Sequence, residues 1–347
     1  MHLHYLRELS DRFEIAAVCD LSRTVVDRVG EAYGVDRRFT DWTALLEEPL
    51  DALLLLTTGS HEPMAVAAAQ AGRHVFIEKP IALSEAEGQA IIAAGKKAGV
   101  RLMVGYMKRY DPAVERMTEE LRDLHPLRFA HSTTAEYPLK WYVAHYPIVR
   151  GTDIDAKMVD ALQAEDGARV TAAIQLTDPV LRYAYRHSLL DSMIHDINLM
   201  RGLLGEPKAL RFANVAQEEI SIFLEFPQTA AAMHWVNLTD GVARYQQEFS
   251  FFYPERRATL VFPSPFLRSA PVELVLEGGS QQSSRSWRTV ETLSFQSAFK
   301  RELLEFYACV TEDREPRTTA DEAVRDVALC QAIIRQQLAA QGVLPRA

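Results

Sequence analysis

Four short apolar runs in the first third of the chain constrain the fold most: Glu14-Ile-Ala-Ala-Val-Cys19, Asp51-Ala-Leu-Leu-Leu-Leu56, His74-Val-Phe-Ile77 and Arg101-Leu-Met-Val104. Each has the length of a strand and is followed by a stretch of helical composition. Runs of this kind suit strands covered on both faces, and their alternation with helices predicts a parallel sheet with crossover connections. The helix between the last two runs opens at Ser84-Glu-Ala-Glu87, a capping box in which the serine meets a free N–H group and Glu87 reaches back. The expected fold class is α/β: a doubly wound parallel layer of nucleotide-binding type followed by a second domain.

From about residue 126 the pattern changes. Segments 209–215, 220–226, 230–238, 245–253, 258–262 and 272–276 are spaced like antiparallel strands, several with period-two alternation, and predict a large open sheet. Phe295, Phe299, Leu303, Phe306 and Val310 recur at helical spacing, and Thr319-Ala-Asp-Glu322 supplies another capping box, so helices close the chain over 295–340. At 347 residues, two cores are the natural expectation: a nucleotide-binding domain over 1–124 and a second α/β domain, with the large open sheet, over 125–347. Residues 139–182, with Lys140, Trp141 and Tyr142, read as a mostly helical insertion.

The net charge of −9, with no run of Lys or Arg, argues against nucleic acid or an anionic membrane as partner and favours a small-molecule ligand. No apolar stretch approaches the roughly 20 residues that span a bilayer, and Met-His-Leu-His-Tyr-Leu-Arg at the start lacks a signal peptide's apolar core, so a cytoplasmic location is expected. Cys19, Cys309 and Cys330 are odd in number and far apart, which predicts small core residues rather than disulfides or a thiolate metal site.

Ligands bind at the carboxyl edge of open parallel sheets, and Gly72-Arg-His-Val-Phe-Ile-Glu-Lys-Pro80 places Lys79 there, next to Glu78. The alternative is a solvated loop lysine. Asp20 ends the first run, where a carboxylate accepts hydrogen bonds from an adenosine ribose and favours NAD by repelling a 2′-phosphate. Arg23 nearby is suited to pairing with such a phosphate, which leaves NADP open, and Asp20-Leu21-Ser22 is also a possible helix cap. Asp191 and His195 are four apart and share a helix face, with His195 a candidate acid or base and Asp191 its orienting partner. A surface pair or a zinc site competes with this reading, but no closely spaced further ligand is present, so no metal is expected.

Gly72 to Pro80, Gly105-Tyr-Met-Lys-Arg-Tyr-Asp-Pro112 and the Asp191-x-x-x-His195 helix, in this order, resemble the glucose-fructose oxidoreductase, inositol dehydrogenase and rhizopine-catabolism family of NAD(P)-dependent dehydrogenases. The resemblance runs from residue 1 to the closing helices. It implies a Rossmann domain, a carboxyl-terminal sheet used for homodimer or homotetramer assembly, and Lys79, Asp191 and His195 as the catalytic set. Alcohol oxidation needs a base and a cation at one oxygen, and His195 and Lys79 supply those groups. Thr57, Thr58 and His61 would line the nicotinamide half, or serve as turn and cap residues with Ser60 capping. Tyr106 and Arg109 are candidate pocket residues, Arg109 alternatively pairing with Asp111. Trp235, Asn237 and Tyr245 fit core or interface roles better than substrate contact.

Two departures stand out. Where the family commonly has small glycines before the Asp-x-x-x-His helix, this chain has Tyr185-Arg186-His187, which makes Tyr185 and His187 specificity candidates. No G-x-G-x-x-G precedes Asp20, and roughly 20 residues of an ordinary mononucleotide unit are expected in frame upstream of Met1. The leading expectation is hydride transfer between NAD(P) and a hydroxyl carbon of a sugar, cyclitol or related polyol. A non-catalytic sugar-binding or regulatory relative, and a reductase of an imine or other non-alcohol substrate, are the alternatives.

Overall fold

The computed structural model describes residues 1–123, 126–238, 244–280, 282–340 and 342. Its first elements are α1 (His2–Glu8), β1 (Ala17–Cys19), α2 (Arg23–Tyr33), β2 (Arg37–Phe39), α3 (Trp42–Leu46), β3 (Ala52–Leu55), α4 (Glu62–Gln70), β4 (His74–Glu78), α5 (Glu85–Ala98) and β5 (Leu102–Gly105). The four apolar runs are β1, β3, β4 and β5. Strand β2, which carries two arginines, has no such signature. Every pairing is parallel: β1 with β2 in one sheet, and β3-β4-β5 in another.

Local chemistry accounts for the helix ends. The Ser84 hydroxyl accepts from the Glu87 amide at 3.2 Å as expected, but the Glu87 carboxylate takes the Leu83 amide and the Ser60 hydroxyl, each at 3.0 Å. The box therefore closes one residue earlier and also ties α5 to the turn before α4. Ser60 is not the N-cap of α4; that residue is His61, and Ser60 accepts from the Glu62 amide at 3.3 Å. Gly99, at φ 70°, ends α5 in the left-handed conformation that favours glycine.

Next come α6 (Pro112–Asp123), β6 (Phe129–Glu136), α7 (Lys140–Val143), α8 (Ala156–Ile174), α9 (Pro179–Tyr183), a π-helical stretch over Ala184–Met193, and α10 (Ile194–Leu204). Then follow β7 (Ala209–Val215), β8 (Glu219–Glu225), β9 (Ala230–Asn237), β10 (Gln246–Phe252), β11 (Arg256–Phe262), β12 (Glu273–Ser280), β13 (Ser283–Thr292), α11 (Ala298–Thr311) and α12 (Ala320–Ala340). One eight-stranded sheet has the order β13-β12-β11-β10-β6-β9-β8-β7, antiparallel except for the β6–β9 pair. Its alternation is clear in β6, where Ala130, Ser132 and Thr134 are buried and the residues between them are half-buried. Strand β13 escapes sequence reading because nearly all its side chains are exposed. Phe295, expected in the closing helices, lies before α11 and is 66% exposed.

The chain forms two compact units that cross the expected domain division. One comprises Met1–Gly105, Val143–Ala173 and Glu302–Val327; the other comprises Tyr106–Tyr142, Ile174–Arg301 and Ala328–Ala347. The expected boundary at 124 and 125 falls on residues outside those described. Helix α8 belongs to the first unit because Arg169 pairs there with Glu87 at 2.8 Å and Glu62 at 3.5 Å. The 302–327 segment joins it through Phe306, edge-on to Phe76, and the Thr318 carbonyl, which accepts from the Val104 amide. Such contacts between distant parts of the chain leave no local sequence signature.

Candidate active site

In the first unit, β4 carries Lys79 to the carboxyl end of the three-stranded sheet. Val75, Phe76 and Ile77 are fully buried, each contributing about 1.5–3 kcal/mol by leaving water, so the strand exit is held firmly. Glu78 fixes the lysine beside it: its Oε2 accepts from the Lys79 amide at 3.1 Å, and its Oε1 lies 2.6 Å from Nε2 of His2 on α1. Glu302 on α11 completes a set of three potential ligand groups whose donor atoms lie within 4.8 Å of one another. Burial favours a higher pKa for Glu78, but the His2 hydrogen bond and the Lys79 charge bring its carboxyl below the usual range. Glu302 goes the other way, pushed well up by burial and by the charge of Glu78. One acid of the set is thereby kept ionised and the other neutral.

His61 is 1% exposed, and its ring nitrogens each lie 2.9 Å from a carbonyl oxygen, those of Thr57 and Pro80. It braces the exits of β3 and β4 against each other. Thr57 and Thr58 are exposed at the end of β3. At the end of β1, Asp20 is exposed and accepts from the Ser22 amide at 2.9 Å. The cap of α2 is Ser22 rather than Asp20, its hydroxyl accepting from the Val25 amide. Leu21 is 46% exposed, and Arg23 has Asp27 at 4.0 Å on its own helix.

In the second unit, Asp191 is exposed on the last part of the π-helical stretch and His195 is half-buried in the first turn of α10. The side chains therefore sit on a helix whose turn changes between them, not on the uniform α-helix their spacing predicts. The buried Tyr106 ring stands edge-on to His195, with centroids 6.1 Å apart. Arg109 does not take Asp111: its Nη1 lies 3.4 Å from the Asn198 side-chain oxygen, and it packs over Gly202, where a Cβ would collide with the guanidinium. Asp111 instead accepts from the Ala113 amide, and burial pushes its carboxyl up to about 6. Tyr185 is fully buried and belongs to the core. His187 is exposed against Tyr183, so these two specificity candidates differ in access.

Behind Asp191 and His195, the inner face of the large sheet is polar. The Trp235 indole donates to the Ser192 hydroxyl at 2.7 Å, and Ser192 donates to Glu136. Asp196, 1% exposed, accepts from Thr134 and from Gln247, both at 2.5 Å. Burial raises both carboxyls, against the charge of the buried Lys108 and the hydrogen bonds they receive. The roles of Glu136, Asp196, Lys108 and Ser192 are not apparent from motif reading, although Lys108 and Ser192 fall inside the motifs. A signal was present in Ser132, Thr134 and Glu136, polar residues at period two facing inward along β6.

The chain is thus a two-unit α/β protein with a parallel nucleotide-binding type of layer and a large mixed sheet. Residues 1–106 match the model of the oxidoreductase family with an NAD-binding Rossmann fold. It is 40% identical over 124 residues to D-apiose dehydrogenase of Paraburkholderia graminis, covering 35% of this chain and 33% of that one. It is 26% identical over 230 residues to myo-inositol 2-dehydrogenase of Thermotoga maritima, covering 63% and 57%. The matches therefore span about a third to just over half of these relatives. Solved structures share the fold over nearly the whole chain. UDP-N-acetylglucosamine 3-dehydrogenase of Acidithiobacillus ferrooxidans has a TM-score of 0.69 at 20% identity, covering 98% of this chain and 94% of that one. Aldose-aldose oxidoreductase of Caulobacter crescentus has 0.69 at 21%, covering 97% and 93%. Among the described residues no helix is long and apolar enough to cross a membrane.

Proposed function

We propose that the protein is an NAD(P)-dependent dehydrogenase acting on a hydroxyl carbon of a sugar, cyclitol or related polyol. The observation that carries this reading is the Glu78-Lys79-Pro80 exit of β4, a lysine at the carboxyl end of a parallel sheet whose backbone amide donates to a neighbouring carboxylate that is itself fixed by His2. The described residues fit the ends of a dinucleotide: Asp20, exposed after β1, suits the adenosine ribose, and Thr57 and Thr58, exposed after β3, suit the nicotinamide half. A nicotinamide dinucleotide held by these residues would supply the hydride acceptor for the alcohol carbon. Lys79 holds the alcohol oxygen and stabilises the negative charge that develops on it. His195 takes the hydroxyl proton, its ring steadied by the edge of Tyr106, and Asp191 stabilises the cationic ring. The acids and hydroxyls behind His195 suit a substrate rich in hydroxyl groups.

The relatives' names support the substrate class, since they act on apiose and inositol. Assembly as a homodimer or homotetramer is supported by an aromatic band on the outer face of the large sheet, where Phe129 lies 6.3 Å from Phe223 and 6.4 Å from Phe252. A cytoplasmic location is part of the same reading. The test is cofactor reduction with a panel of sugars and cyclitols. Lys79→Ala should lower kcat by about 10²–10³-fold, as removal of one oxyanion donor does. His195→Ala should lower it by about 10²–10⁴-fold. Undiminished turnover in the lysine variant refutes the assigned role.

A further inference from the structure

Helix α2 starts where an adenosine ribose would meet Asp20, and its first turn already holds an anion from a distant part of the chain. Asp153, on the segment before α8 and in the same unit, accepts from the Ser22 hydroxyl through Oδ1 and from the Thr24 amide through Oδ2, the latter at 2.9 Å. These hydrogen bonds bring its carboxyl down to about 2, so it is charged across the neutral range. Gly151 permits the approach, because a Cβ there would collide with the Ser22 hydroxyl. The other end of the insertion is anchored by Arg169, paired with Glu87, Glu62 and Glu165. Asp20 accepts from the Ser22 amide, so two carboxylates flank one serine.

A hydroxyl, a first-turn amide and the positive end of a helix are what a phosphate requires. Here an internal carboxylate occupies them. We propose that Asp153 is a cofactor-specificity residue, whose carboxylate takes the donors a 2′-phosphate would need and so makes the chain accept NAD and reject NADP. The uncharged 2′-hydroxyl of NAD would donate to Asp20 without needing those donors, whereas a 2′-phosphate would face both carboxylates. Arg23, the cation that would offset such a phosphate, has Asp27 beside it on its own helix.

The inference rests on the dehydrogenase reading above, and calorimetric titration of the whole protein with NAD+ and NADP+ separates the two. The unaltered protein should bind NAD+ at least about tenfold more tightly, a difference of about 1.4 kcal/mol. Asp153→Ala should tighten NADP+ by about tenfold while moving NAD+ by less than about threefold, and Asp153→Asn, which removes charge but keeps an acceptor, should fall between. An unchanged ratio of the two affinities overturns the proposal; so does a parallel loss of both, which would mark Asp153 as an anchor of the insertion alone. Failure of the unaltered protein to bind either cofactor overturns the dehydrogenase reading and this inference together, whereas NAD+ binding with an unresponsive ratio overturns only the inference.

Discussion

The two compact units each set a fully buried acid beside a half-buried one, and they meet the charge in opposite ways. In the first, Glu302 is fully buried with both carboxylate oxygens lacking a hydrogen-bond partner, and burial together with the Glu78 charge keeps it protonated. Its neighbour Glu78 stays ionised through His2 and Lys79. In the second, hydrogen-bond donors meet the charge: Thr134 and Gln247 on the sheet donate to Asp196, and Ser192 on the π-helical stretch donates to Glu136, with Lys108 as the buried cation. A proton solves the problem in one unit, and a polar network solves it in the other. The same kind of substitution should therefore have opposite consequences in the two places.

Asp196→Ala is the severest test, because it removes the counter-charge of Lys108 and strands Thr134 and Gln247; the expected loss is about 3–5 kcal/mol in urea unfolding. A loss under about 1 kcal/mol would show that the network carries little and erase the contrast. Glu302→Gln should act the other way. An acid whose folded pKa is raised stabilises fully below its unfolded pKa of about 4.3 and loses that contribution as pH rises toward the folded value. The wild type should therefore weaken from mildly acidic to alkaline pH relative to the amide variant, which should melt about 2–4 °C higher near pH 8 for each kcal/mol gained. Equal melting temperatures for the two proteins across pH 5 to 8 would show that Glu302 is not held neutral. Trp235→Phe gives the smallest effect, about 1 kcal/mol, by removing one donor to Ser192 while retaining the ring. A larger loss would extend the network to the indole.

The parts legible from sequence are those in which one short segment carries the whole cause. Strands β3, β4 and β5 are readable because a strand covered on both faces needs unbroken apolar residues, and Ser84 because a cap acts within one turn. Strands β2 and β13 are not, since Arg37-Arg38 and the exposed hydroxyl-rich β13 pair through backbone groups that every residue owns. At the site, local motifs single out Lys79, Asp191 and His195, while His61 proves to be a brace whose partners are two carbonyls on separate strand exits.

The alternation of apolar runs and helices, the lysine at a strand end and the histidine helix are all settled in the sequence, because periodicity and capping are properties of neighbours in the chain. Tertiary contacts settle which carboxylate is ionised, which residue occupies the first turn of α2, and which segments share a unit. Those outcomes depend on the meeting of Glu78 with Glu302 and of Ser22 with Asp153, groups far apart in the chain whose burial and charge act only once they are close.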